Sequence, residues 1–103
     1  YPIWAAMRPD YFFTSAQVGM VELLLSGCTT TADHLYLYPN GARLEDTIHA
    51  AQEIGMRFHP ARGAMGIGES DGGLPPDHLG EGEAAILDDM IRVIDALHDA
   101  SHG

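Results

Sequence analysis

Ser26-Gly27-Cys28-Thr29-Thr30-Thr31-Ala32-Asp33 is the stretch that decides how the rest of the chain is read. Gly27 supplies the left-handed stop of a helix, and the run after it is too short and too β-branched to continue as one. The spacing predicts a strand over 28–33. A second junction of the same kind follows 28 residues on, where Gly55 precedes Met56-Arg57-Phe58-His59-Pro60-Ala61-Arg62. This is a second short strand, over 56–62, and Pro60 is tolerable there only at an edge, at a bulge or near the strand end.

Outward from these strands the periodicity turns helical. From Pro9 to Ser26, Phe13, Ala16, Met20, Leu23 and Leu24 share one face, with Asp10, Ser15, Gln17 and Glu22 elsewhere. Pro39-Asn40-Gly41 breaks the chain. A second apolar face, Leu44, Ile48 and Ala51, then runs to Gly55, with Glu45 and Asp46 in the first turn. Residues 63–82 are dense in glycine and contain Pro75-Pro76, a composition for a long loop. From Glu83 to His98, the residues Ile86, Met90, Val93, Ile94 and Leu97 rebuild an apolar face, with Asp88, Asp89, Arg92 and Asp95 on the wet side. The order is helix, strand, helix, strand, loop, helix, an α/β arrangement. Strand–helix–strand units of this size pair their strands in parallel through a right-handed crossover, and parallel strands need cover on both faces. A (β/α)8 TIM barrel takes about 250 residues. The expectation is therefore a fragment of one: about two β/α units with parallel strands and a long loop after the second strand. Alone, it would expose strand edges and helix faces, which predicts poor stability or self-association.

Composition narrows the partners. A chain of 103 residues makes one small domain, and 46% hydrophobic with 19% charged residues excludes wholesale disorder, a collagen-like repeat and a coiled coil. Five Arg, no Lys and fifteen acidic residues give a net charge of −10, the wrong sign for a phosphate-binding surface, so nucleic acid is not an expected partner. No run approaches the roughly 18 apolar residues of a membrane span, and residues 1–15 lack the pattern of a signal peptide. Cys28 is the only cysteine, which allows no internal disulfide and fits a cytoplasmic setting. Opening on Tyr1 and closing on Ser101-His102-Gly103, the chain reads as a piece of something longer.

Three stretches carry a family resemblance: residues 26–41, Ser-Gly-Cys-Thr-Thr-Thr-Ala-Asp-His-Leu-Tyr-Leu-Tyr-Pro-Asn-Gly; residues 55–65, Gly-Met-Arg-Phe-His-Pro-Ala-Arg-Gly-Ala-Met; and residues 68–77, Gly-Glu-Ser-Asp-Gly-Gly-Leu-Pro-Pro-Asp. Together they resemble the 8-oxoguanine deaminases, often labelled hydroxydechloroatrazine ethylaminohydrolases, of the amidohydrolase superfamily. The loop at 68–77 is the most specific of the three. The resemblance implies a (β/α)8 barrel hydrolase whose divalent metal, zinc or iron, is held by a His-x-His pair after the first strand, by histidines on the fifth and sixth strands and by an Asp on the eighth. It places residues 1–103 between the first and fourth strands, as a partial catalytic barrel domain without the metal-binding strands. The six histidines include no His-x-His pair. No metal ligand and no catalytic residue is therefore expected in this chain. The family reaction, attack of a metal-activated water on the ring carbon that bears the leaving amine, belongs to the parent protein, and the isolated chain is expected to be inactive. The parent's implied partner is a small heterocyclic substrate, a purine or triazine. A rival from another class is a small acidic interaction module that folds alone or as a dimer.

Several residues could still meet a substrate. Arg62 ends the second strand, and the carboxyl ends of barrel strands face the substrate. Its planar guanidinium suits a purine carbonyl or an anionic oxygen, and related deaminases use an arginine in a similar place; the alternative is an ion pair with one of the acids. Asp33 and His34 stand at the mouth of the first strand, where either could line the pocket, or Asp33 could cap a turn while His34 packs. Trp4 could stack on a flat ring or serve as packing. The loop at 66–77 carries Glu69, Ser70 and Asp71 beside Gly68, Gly72 and Gly73, the make-up of a lid, with a plain covering loop as the alternative. His98 and His102 have the i, i+4 spacing of a helical metal pair, but two ligands close no tetrahedron. Cys28, at the start of a strand, reads as an inert core thiol.

Overall fold

A computed structural model of the chain describes residues 1–101, so His102, half of the His98/His102 pair, lies outside the described residues. The elements are α1 (Pro2–Ala5), α2 (Pro9–Leu25), β1 (Thr30–Leu35), α3 (Leu44–Ile54), β2 (Arg57–Arg62) and α4 (Glu83–Leu97). Short 3-10 turns form at Pro39–Gly41, Glu69–Asp71 and Asp77–Leu79. The expected helix–strand–helix–strand–loop–helix order is present, with one addition. The first residues, assigned no element from the sequence, form the single turn α1, which Asn40 ties down by donating its side-chain amide to Ala5 O (2.8 Å) and Met7 O (2.7 Å). Asn40 reaches them from the left-handed region, at φ 53°.

β1 and β2 pair in parallel, Thr30 opposite Arg57 through Leu35 opposite Arg62. The first strand begins two residues later than expected because the end of α2 occupies the interval. Gly27 takes φ 94°, and the N–H groups of Gly27 and Cys28 return to Leu24 O (3.0 Å) and Leu23 O (2.9 Å), satisfying carbonyls the helix leaves unpaired. Gly55, at φ 80°, ends α3 similarly, with Met56 N–H returning to Ala51 O at 3.0 Å.

One face of the strand pair is covered. α2 and α3 meet over it in a cluster of Met20, Ala51 and Met56, with Ala16, Leu24, Cys28 and Phe58 against it. A second cluster joins α3 to α4 through Leu44, Ile48 and Val93, with Leu35, Tyr38, Phe58 and Leu97. Three expected core assignments shift. On α2 the buried phenylalanine is Phe12, while Phe13 is half-buried and Leu23 is exposed. On α4 Ile94 lies outside, forming with Leu87 and Ile91 an exposed apolar stripe at i, i+4, i+7 spacing. No helix among the described residues is long and apolar enough to cross a membrane.

Candidate functional site

Side chains alternate along a strand, so the two faces of β1–β2 carry different residues to the same carboxyl end. Thr31, Leu35, Phe58 and Arg62 are at least partly buried toward the helices, whereas Thr30, Ala32, His34, Arg57, His59 and Ala61 are exposed on the other face. By this alternation Arg62 and Asp33 belong to the helix side and His34 to the open side. The sequence put all three at one mouth; the pleat separates them.

On the helix side Arg62 is almost fully enclosed, its side chain 6% exposed. Nη2 donates to Glu81 (2.6 Å), Nε to Asp89 (2.9 Å) and Nη1 to Gly63 O (2.9 Å). Three of its five N–H donors are thereby engaged. The guanidinium also lies over the Tyr38 ring, 4.3 Å from its centroid, and the Tyr38 hydroxyl donates to Leu35 O at 2.8 Å. Arg92 extends the network by donating to Asp89 (2.6 Å) and to Glu45, joining α4 to α3. Burial opposes charge on Arg62, but its bonds to Glu81 and Asp89 outweigh that and hold its pKa above the ordinary value. At Asp89 burial is again overcome, by Arg92 and Arg62, and the carboxyl is held below the usual range; Glu45 is lowered by its bond to Arg92. Burial pushes the Tyr38 hydroxyl up. Asp33 accepts the backbone N–H of His34 (2.8 Å) and lines an apolar groove of about 320 Å³ between α2 and the sheet.

On the open side the rings of Tyr1, Trp4, Tyr36 and His34 follow one another edge to face, with centroid separations of 5.6, 6.1 and 5.9 Å. Trp4 and Tyr36 also line a cleft of about 200 Å³ with Met7, Phe12, Leu35 and Leu37. The His34 ring crosses from β1 to β2 and lies against Gly63, where a Cβ would be 2.6 Å from Nε2 and 2.7 Å from the Tyr36 Cβ. Two of the four expected binding residues, Trp4 and His34, are thus brought together through the ring of Tyr36, which the sequence reading passed over. The available signal was its place two residues after His34, on the same face by alternation.

The loop at 66–77 is closed on itself. Asp77 accepts from both the N–H (3.1 Å) and the hydroxyl (3.0 Å) of Ser70, while Glu69 N–H reaches Pro75 O (3.0 Å) and Gly73 N–H reaches Gly68 O (2.8 Å). Gly72 takes φ 85°; Gly68 and Gly73 pack so tightly on Asp77 and on the Ile67 carbonyl that neither has room for a Cβ. Glu69 and Asp71 are exposed.

No protein-family model matches the chain. It is 43% identical, over its whole length, to an 8-oxoguanine deaminase of Pseudomonas aeruginosa, and 36% identical over 96% of its length to a hydroxydechloroatrazine ethylaminohydrolase of Pseudomonas sp. strain ADP. The chain is homologous to these amidohydrolase-superfamily deaminases. It spans 23% and 21% of their lengths, less than a quarter of each. A solved structure of an atrazine chlorohydrolase variant from Arthrobacter aurescens TC1, complexed with zinc and atraton, superposes on 92% of the chain and 22% of its own length at a TM-score of 0.82 and 32% identity. Zinc in that amidohydrolase raises the question of which donors this segment offers. Among the described residues no group of three or more His, Cys, Asp or Glu could hold a metal ion. What the described residues bring to one end of the parallel strand pair is rings on one face and an ion-paired arginine on the other.

Proposed function

We propose that residues 1–103 are the part of a (β/α)8 barrel between its first and fourth strands, within a metal-dependent aminohydrolase acting on 8-oxoguanine or a related purine or triazine. The observation that carries this reading is the one-sided cover of the parallel pair. Helices lie on one face, as on the outside of a barrel, and the other face brings His34, Tyr36 and Trp4 to the carboxyl end of the strands, where barrel enzymes bind substrate. In this role Trp4 stacks on the flat heterocycle, and His34, which can donate or accept a hydrogen bond, meets its polar edge. The zinc or iron ligands come from parts of the protein outside this chain, and so does the chemistry, leaving the isolated chain inactive. Loop 66–77 closes over the bound ring, with Glu69, Ser70 and Asp71 toward it. Arg62 and Asp33 act from the helix side. For Arg62 to touch substrate one carboxylate partner must give way, so Arg62→Met in the full-length protein lowers kcat/KM by more than its loss of stability accounts for.

The exposed stripe of Leu87, Ile91 and Ile94 supports the same reading, because an apolar helix face of that kind is covered by further protein. In the proposed protein the rest of the barrel covers it; in the isolated chain a second copy does. The setting proposed is the cytoplasm.

The test is ammonia release from 8-oxoguanine, with zinc supplied, by this chain and by its full reading frame. Activity in the long protein and none in the short one is the expected result. An inactive long protein beside a cooperatively folded short chain favours the interaction-module alternative.

A further inference from the structure

The open face contains one contact that packing alone does not call for. Gly63 follows β2 and is paired to β1 through its N–H, which donates to Leu35 O at 2.7 Å, so it stands opposite Tyr36 in the extended register. Its backbone has no positive φ to explain a glycine. The reason for glycine is steric: the space a Cβ would fill is held by the His34 ring and by the Tyr36 Cβ. Tyr36 in turn stands edge to face between His34 (5.9 Å) and Trp4 (6.1 Å), and is half-buried while His34 is exposed. An exposed histidine ordinarily samples several rotamers. Here the ring, already on this side by the pleat, lies over the flat seat at Gly63 and against Tyr36, which together set its angle there.

We propose that Gly63 and Tyr36 are positioning residues for the ring-binding site: Gly63 seats the His34 imidazole across the two strands, and Tyr36 fixes the angle between that imidazole and Trp4. This rests on the proposed function, in which His34 and Trp4 meet a heterocycle. The ligand class the seat suits is a planar heteroaromatic ring carrying a hydrogen-bonding edge, with its face toward Trp4 and its edge toward His34. The ring of Tyr36 does this work, not its hydroxyl, so Phe should replace it and an aliphatic residue should not.

The experiment compares Tyr36→Phe, Tyr36→Leu and Gly63→Ala in the full-length protein, using 8-oxoguanine as the probe. Tyr36→Phe keeps KM and kcat within about twofold. Tyr36→Leu and Gly63→Ala raise KM about three- to tenfold with little change in kcat, the size of one lost aromatic contact. Alongside, the His34 ring protons are followed by NMR in the histidine-labelled proteins: their resonances move in Tyr36→Leu and Gly63→Ala and stay in place in Tyr36→Phe. Unchanged KM in both disruptive variants overturns the proposal, as does an equal loss in Tyr36→Phe or a fall in kcat that merely tracks a lowered Tm. The two readings separate cleanly. A parent protein silent toward 8-oxoguanine removes the deaminase reading, and the NMR arm then decides the positioning by itself: displaced His34 resonances uphold it, and fixed ones overturn it.

Discussion

Two regions at one end of the same strand pair use their residues in opposite ways. On the helix side, Arg62, Glu81, Asp89, Arg92, Glu45 and Tyr38 bond to one another across β2, the loop, α3 and α4. On the open side, His34, Tyr36 and Trp4 touch through ring edges alone and leave their outer surfaces accessible. The first region ties elements together; the second leaves ring surface exposed. Enclosed charge must be paired to be tolerated, whereas aromatic edges at an exposed rim carry no such requirement.

The largest effect expected from disturbing this contrast is on the paired side. Arg62→Met leaves Glu81 and Asp89 facing each other without their shared cation and should cost about 2–3 kcal/mol in denaturant unfolding. That is below the loss for a fully buried pair, because both carboxylate side chains are 26% exposed and water relieves part of it. A loss under about 0.5 kcal/mol would show the network to be ornamental. Tyr38→Leu comes next: it removes the face under the guanidinium and the bond to Leu35 O, for about 1–2 kcal/mol, with Tyr38→Phe costing less because the ring stays.

Acid probes the same network more gently. The folded carboxyls of Asp89 and Glu45 lie below their ordinary values, so their contribution is complete above the unfolded carboxylate range and disappears as pH falls through the lowered folded values. Tm should be level from pH 8 to about pH 5 and should drop below about pH 4, with a shallower drop in Glu45→Gln. The smallest stability effect belongs to the open side. His34→Ala should change unfolding by no more than about 0.5 kcal/mol while raising KM in the full-length protein. A His34→Ala loss as large as that of Arg62→Met would erase the contrast between the two faces.

Much of the fold was legible because local rules carry it. The Gly27 and Gly55 stops, the β-branched run at 29–31 and the acidic first turn of α3 all act within a few residues of themselves. Where the reading slipped, a contact outside the element's own periodic pattern decided it. Strand β1 started late because Gly27 and Cys28 turn back onto α2. α1 depends on Asn40, more than thirty residues away. Ile94 faces outward because Val93 and Leu97 already meet α3 and the sheet. The candidate residues were legible singly and in part, without Tyr36, and their arrangement was not, since nothing in the neighbourhood of Arg62 announces Glu81 and Asp89, 19 and 27 positions further on.

By itself the sequence determined the element order, the parallel sense of the strand pair and the resemblance to 8-oxoguanine deaminases, because periodicity, helix stops and motif identity are properties of short stretches. Tertiary structure alone decided which candidates share a face. The pleat sends His34 and Arg62 to opposite sides of one sheet, the helices cover only one of those sides, and Gly63 leaves room for a ring that any side chain there would displace.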